Sequence, residues 1–332
     1  MRRKQRPSIV AGLTLAIVAA ACGGDGGNGG GDGGVTGSLN VSGSSTVEPI
    51  TSLVAEKFRS EHPDVEIAVD GPGTSDGFEL FCNGETDISD ASRAIDEEEL
   101  AACQENGIEP VELEVGLDAL TVIGNPANPI ECLSFGDLYA LFGPEAEGFG
   151  SWSDANGLAA EVGGVGGFPD MPLTIVAPGA ESGTFGSFIE IALKDIAGER
   201  EQPDDVLRTD YQSSADDNVI IDNAAGNESG LGFVGFSYAQ AAGATVKEFE
   251  VDGGSGCVAP SPETVIDGTY PIARSLFLYV NPIRIQDNPA LEPFVDFYLS
   301  DAGIASVEEV GYVALPSDRL DATRSAWEDA NA

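Results

Sequence analysis

The chain has 332 residues, in which 15 Lys and Arg face 56 Asp and Glu for a formal net charge of −41. That balance argues against nucleic acid as a partner, because gripping a phosphate backbone takes clustered cations. It fits a soluble, acidic surface adapted to a salty or exposed setting, and 42% hydrophobic residues suffice for packed cores.

Arg2, Arg3, Lys4 and Arg6 precede an apolar run from Ile9 to Ala21. A basic start and an apolar stretch too short for a membrane span identify residues 1–21 as a signal peptide. The run ends in Ala19-Ala20-Ala21-Cys22. Small residues before a Cys resemble the lipobox of bacterial lipoproteins, although Leu is commoner where Ala19 stands. The resemblance implies acylation of Cys22 and a membrane anchor. Residues 22–37 are then a lipidated Cys and a tether, almost all Gly up to Gly37, which buries nothing and behaves as flexible coil. Roughly 295 residues remain, which suits two lobes better than one small core.

The ordered part opens with a strand at Leu39-Asn40-Val41, a turn at Gly43-Ser44-Ser45-Thr46, and apolar residues Val47, Ile50, Leu53, Val54 and Phe58 at helical spacing. The unit repeats: Val65 to Val69 alternates as a strand, Gly71 to Gly77 is a turn, and Phe78 to Cys82 begins a short helix. A fourth segment, Thr86-Asp87-Ile88-Ser89-Asp90-Ala91-Ser92-Arg93, reads as a strand delivering Ser92 and Arg93. Asp118 to Gly124 and Tyr270 to Val280 are two apolar strands that would cross between lobes, making the second lobe an insertion. The expected division is 38–117 with 271–332 for lobe 1 and 118–270 for lobe 2. Gly148 to Pro172 is Gly-rich and reads as irregular surface around Trp152. The strand, turn and helix unit returns at Leu173 to Ala177, Pro178 to Thr184 and Phe185 to Ile196. Pro289 to Gly303 reads as helical and should pack on lobe 1. Strands alternating with helices specify α/β lobes with largely parallel sheets.

With Cys22 lipidated, four cysteines remain, and an even number in an exported chain points to disulfides. Of the three pairings, Cys82–Cys103 and Cys132–Cys257 keep each bridge within one expected lobe. Zinc is the alternative, but no His accompanies the cysteines and no C-x-x-C occurs.

The chemistry lies in the turns. Ligands of open α/β sheets bind beyond the carboxyl ends of strands. There the first helical N–H groups and the helix dipole receive an oxyanion. A Ser or Thr that merely caps a helix gives the same pattern, so the argument rests on several such turns together. Arg93 adds a planar fork suited to a tetrahedral oxyanion. A Ser hydrolase is the contrary reading, and it lacks a base: the only His is His62, in Glu61-His62-Pro63 at a helix end.

Gly43-Ser44-Ser45-Thr46-Val47-Glu48-Pro49 resembles the opening motif of PstS-type phosphate-binding proteins, and Pro178-Gly179-Ala180-Glu181-Ser182-Gly183-Thr184-Phe185 resembles their Ser-Gly-Thr loop. Gly84 to Arg93, Asp216-Asp217-Asn218-Val219 and Tyr270-Pro271-Ile272-Ala273-Arg274-Ser275-Leu276-Phe277 are similar to a branch that includes lipoproteins. The resemblance runs from about Leu39 to Ser317 and implies an α/β, two-lobed periplasmic-binding-protein-like fold of type II closing on its ligand in the interlobe cleft. It implies a monomeric receptor, not an enzyme, facing the periplasm or cell exterior. Such a receptor captures inorganic phosphate and delivers it to an ABC permease, with no cofactor or metal. Sulfate or molybdate is the alternative cargo. The implied phosphate contacts are Thr46, Val47, Thr74, Ser92, Ser182, Gly183 and Thr184, with Ser45, Ser75 and Asp76 beside them in the turns. The chain departs from better-known members, which carry Asp where Ser92 stands and Arg where Pro178 stands. Arg93 is therefore expected to be the main cation. Asp76, or failing it Asp217, is expected to accept the proton that phosphate carries and sulfate lacks.

Overall fold

The computed structural model describes residues 34–331 except 181 and 204, so the signal peptide, Cys22 and most of the tether lie outside the described residues. Lobe 1 begins β1 (Gly37–Gly43), α1 (Glu48–Glu61), β2 (Val65–Asp70), α2 (Thr74–Cys82), β3 (Ile88–Ala91) and α3 (Glu97–Glu105). The long strand β4 (Val111–Gly124) leads out of it. Beyond it come β5 (Cys132–Ser134), α4 (Phe135–Phe142), α5 (Asn156–Glu161), β6 (Thr174–Ala177), α6 (Gly183–Phe188), a π turn and α7 (Lys194–Glu199). Next are β7 (Gln212–Ser213), α8 (Asp217–Gly226), β8 (Gly230–Gly235), α9 (Phe236–Ala242), β9 (Lys247–Glu248), β10 (Glu250–Asp252), β11 (Cys257–Val258) and α10 (Pro262–Ile266). Strand β12 (Ala273–Val280) returns, and α11 (Leu291–Tyr298), α12 (Asp301–Glu309) and α13 (Ser317–Asn331) follow.

One sheet runs through both lobes in the order β2-β1-β3-β12-β4-β8-β6-β7, with β9 also on β4; β5, β10 and β11 form a small second sheet. The expectation of largely parallel sheets needs correction at the centre. Strands β2, β1 and β3 are parallel, as are β8, β6 and β7. But β12 is antiparallel to both β3 and β4, and β4 is antiparallel to β8. The reason is that one strand leaves lobe 1 and its neighbour returns, so they run in opposite directions. Strand β4 serves both lobes, pairing β12 through Val111–Ala119 and β8 through Leu120–Gly124.

Two apolar cores sit either side of this crossing. One gathers Leu39, Val41, Val54, Phe58, Leu276 and Phe294, and the other Leu120, Val122, Phe142, Phe188, Phe233 and Trp152. Trp152 is fully buried, packed beside Phe168 and Phe249. The Gly-rich stretch around it is thus not plain surface: its turns wrap an aromatic anchor that periodicity could not reveal. Helix α13 is not predicted by the periodicity of the tail. Its Trp327 enters the first core and Leu320 packs against both. Both disulfides, Cys82–Cys103 and Cys132–Cys257, are formed, one in each half. No helix among the described residues is long and apolar enough to cross a membrane.

Candidate functional site

The parallel strands β1, β2 and β3 release their turns at the same sheet end, and hydrogen bonds knit the turns together. Ser44 N–H donates to the Asp90 carbonyl at 2.8 Å and Gly73 N–H to the Gly43 carbonyl at 2.8 Å. This packing demands glycine twice. Gly43 has φ +149, and a Cβ on Gly77 would lie 2.4 Å from the Gly43 Cα. The first turn is preset by its own side chain, since Thr46 N–H donates to Ser44 Oγ at 3.2 Å and Val47 N–H to the Ser44 carbonyl at 3.1 Å. Thr46 and Val47 are buried, while Ser45 is exposed.

Thr74 and Ser92 meet. Their hydroxyls lie 3.1 Å apart, and Ser92 N–H donates to Thr74 Oγ1 at 3.2 Å. Arg93 stands beside them but is already occupied. It grips both oxygens of Glu99 at 2.8 and 2.7 Å, donates to Ser75 Oγ at 3.0 Å and lies over the Phe78 ring. Glu99 holds its guanidinium above the usual Arg range. Asp76 is exposed in the first turn of α2, outside the cleft cavity described next.

The third turn arrives from lobe 2. Ser182 caps α6, its Oγ accepting from Thr184 N–H at 3.2 Å. Ser182, Gly183 and Thr184 line a cavity of about 190 Å³ between the lobes, together with Asp118, Asp217 and Tyr312. Burial pushes the Asp217 carboxyl up, while the Gly235 N–H pulls it down.

The residue that joins the two halves is Arg274, at the start of β12. Its Nη2 donates to Thr46 Oγ1 at 3.0 Å and to Ser187 Oγ at 3.2 Å, one on each side of the cleft. Its Nε donates to Asp118 Oδ2 at 3.2 Å, and Nη1 pairs with Glu190 at 2.8 Å. The side chain is only 14% exposed. Burial alone would lower its pKa, but Asp118 and Glu190 outweigh that and hold it above the usual value. A buried guanidinium between Thr46 of the first turn and Ser187 of α6 places cationic N–H groups and two hydroxyls together, a set suited to a tetrahedral anion. The sequence places Arg274 inside the motif Tyr270 to Phe277 and makes Arg93 the expected cation; the approach of Arg274 to Thr46 has no local signal, because it comes from the crossing of β12 against β4.

Beneath the first turn lies Asp90, fully buried on β3. Its Oδ1 accepts from Thr51 Oγ1 at 3.0 Å, and Thr51 in turn meets the Tyr298 hydroxyl at 3.2 Å. Burial raises its carboxyl to about 8, with Thr51 opposing the rise. Among the described residues the one cluster with metal-ligand spacing is Cys132, Glu250 and Cys257, and its cysteines are tied in a disulfide. His62 caps the end of α1 against Phe58 and is not among the residues lining the cleft cavity with Ser182.

The profile of the PBP superfamily domain matches residues 29–302. The chain is 40% identical over 283 residues to Protein SphX of Synechocystis sp., covering 85% of this chain and 79% of that one. It is 31% identical over 308 residues to phosphate-binding protein PstS of Staphylococcus epidermidis, covering 92% and 87%. The crystal structure of a possible phosphate binding protein from Planctomyces limnophilus superposes with a TM-score of 0.81 at 32% identity, covering 90% of this chain and 100% of that one.

Proposed function

This chain belongs to the PBP superfamily, in its PstS family, and from that premise we propose that it captures inorganic phosphate in the interlobe cleft and hands it to an ABC permease. The observation that carries the reading is the convergence on Arg274: Thr46 from lobe 1 and Ser187 from α6 both accept from its Nη2, and its Nε holds Asp118, which lines the cavity of the Ser182-Gly183-Thr184 segment. Thr74 and Ser92, whose hydroxyls meet on the lobe 1 side, are taken as further anion contacts, although neither lines that cavity. The lobes are taken as 38–117 with 271–332, and 118–270, with β4 and β12 as the hinge. The work of such a site is binding and release: helix starts, hydroxyls and one guanidinium satisfy the oxyanion without transferring a bond.

The protein acts as a monomer outside the cytoplasm, held to the membrane by a lipid on Cys22, a residue outside the described part. Relatives named PstS support the cargo, and the run Ala19-Ala20-Ala21-Cys22 supports the anchor. Calorimetric titration of the purified protein with phosphate, arsenate, sulfate and molybdate tests the cargo. Saturable phosphate and arsenate binding with weak sulfate binding is expected, and tightest binding of molybdate or sulfate would reject phosphate. Intact-mass analysis of the mature protein tests the anchor, and an unmodified Cys22 rejects it.

A further inference from the structure

We propose that the segment Val310–Val313, anchored in lobe 1, is a latch that seats on lobe 2 and sets how long the closed cleft keeps its anion. The proposal rests on the phosphate reading above, and it concerns the rate of release rather than the choice of anion.

The anchor is backbone. Gly311 N–H donates to the Glu308 carbonyl and Tyr312 N–H to the Val307 carbonyl, each at 3.0 Å, which ties the segment to the end of α12. Val313 and Leu117 of β4 exchange both of their backbone hydrogen bonds at 2.9 Å. Leu117 lies in the part of β4 that pairs with β12, on the lobe 1 side of the crossing. The segment therefore moves with lobe 1.

The seat belongs to lobe 2, and glycines let it come close. A Cβ on Gly183, at the start of α6, would lie 3.1 Å from Tyr312 Oη. A Cβ on Gly235, at the end of β8, would lie 3.7 Å from the Gly311 carbonyl oxygen. The Tyr238 ring, on α9, covers Gly311 itself, where a Cβ would lie 3.6 Å from the ring edge. Gly311 has φ +94, a left-handed conformation that residues with a Cβ resist. Gly311, Tyr312 and Tyr238 also line the cavity that holds Ser182, Gly183 and Thr184, so the contact lies beside the bound anion.

Strands β4 and β12 join the lobes through the chain and stay joined in any position. The latch reaches lobe 2 by contact alone, so it can part when the hinge opens. A contact made only in the closed cleft raises the closed population and slows the opening that frees the ligand. Burial, reinforced by Asp118 and opposed by Arg274, raises the Tyr312 hydroxyl above the ordinary range. The latch thus meets the cleft as a neutral group and adds no charge with which to sort anions.

The test is the release of radiolabelled phosphate from purified protein, chased with excess unlabelled phosphate, with the capture rate measured in parallel. The proteins are the parent, Tyr238→Ala, Tyr238→Phe and Gly311→Ala. Tyr238 is 42% exposed, so its truncation should leave the melting temperature close to that of the parent. Tyr238→Ala should speed release roughly 10-fold, the equivalent of about 1.4 kcal/mol of lost contact, at an unchanged capture rate. Tyr238→Phe keeps the ring and should release like the parent. Gly311→Ala strains the backbone and reaches the same contact from lobe 1, so it should also speed release. The phosphate-to-sulfate affinity ratio should stay that of the parent in Tyr238→Ala. Parental release from a folded Tyr238→Ala, or an affinity loss that arises from slower capture, overturns the latch and leaves the phosphate reading standing. A parent that binds no phosphate overturns both.

Discussion

At the scale of single residues, the guanidinium contacts rank the cations. Both guanidiniums hold carboxylates, Arg93 that of Glu99 and Arg274 those of Asp118 and Glu190, but Arg274 alone of the two also reaches Thr46 and Ser187 on either side of the cleft. Arg274→Lys keeps a charge beside Asp118 but loses the planar fork. It should weaken phosphate by about 1.5–3 kcal/mol, the range for a hydrogen bond to a charged group. Arg93→Lys should cost clearly less, and equal losses in titration would return the main role to Arg93. Asp90 yields a pH prediction. Its folded carboxyl is raised to about 8 by burial, above the ordinary unfolded value of about 3.9. The folded state therefore holds a proton that the unfolded chain has released. The group's contribution to stability is complete below about pH 4 and is lost as pH rises through about 8. Asp90→Asn stays neutral throughout, so its melting temperature should gain on the parent between about pH 5 and pH 9. A constant gap across that range would show that Asp90 is ionised in the fold.

At the scale of elements, α13 deserves the weight that its sequence concealed. Arg319 on this helix pairs with Glu114 of β4 and donates to Ser275 of β12 and to the Ile266 carbonyl. It therefore ties together the two strands that cross between lobes and the end of α10. Farther along, Trp327 is 3% exposed and its indole N–H donates to Asp296 at 2.7 Å. Trp327→Ala should destabilise the fold by about 3–5 kcal/mol through lost burial and the cavity left behind. Urea unfolding measures it, and a loss below about 1 kcal/mol would mean that the helix end contributes no more than a surface residue does. The turns behave differently from this helix. Their glycines and hydroxyls recur at each strand end and are visible in one dimension, whereas the apolar face of α13 is sparse, with Leu320 and Trp327 far apart among charged residues.

At the scale of the whole molecule, two covalent links and a large negative charge set the stability. Cys132 and Cys257 are separated by 125 residues and Cys82 and Cys103 by 21. In the chain-entropy model the long loop contributes about 5 kcal/mol and the short one about 3. Removing the first pair by Cys132→Ser and Cys257→Ser should lower stability more than removing the second, as read from denaturant midpoints. The reverse order would point to residual structure in the unfolded chain. The excess of 56 acidic over 15 basic residues repels itself in the compact state. Added salt should then raise the melting temperature, while leaving the order of anion affinities unchanged, because contacts within the cleft are screened far less than surface charges.

Much of this protein was legible in one dimension. Periodicity located β1, α1, β2 and β3, since alternation and helical spacing are local consequences of which face is buried. Ser and Thr beside Gly at successive strand ends marked the turns that the structure brings to one sheet end, because caps and tight turns need those residues wherever they occur. The cysteine pairs followed from asking which bridges stay within one lobe. What the sequence left open was decided by contacts between distant segments. Trp152 is buried because turns fold over it, and α13 exists because two cores offer it a seat. Above all, Arg274, Asp118 and Thr46 are separated by 156 and 228 positions of chain in their hydrogen bonds, yet meet at one point. Two antiparallel strands and one strand-end turn converge there. A cleft between lobes is built from such encounters, and no local pattern encodes which charge arrives opposite which hydroxyl.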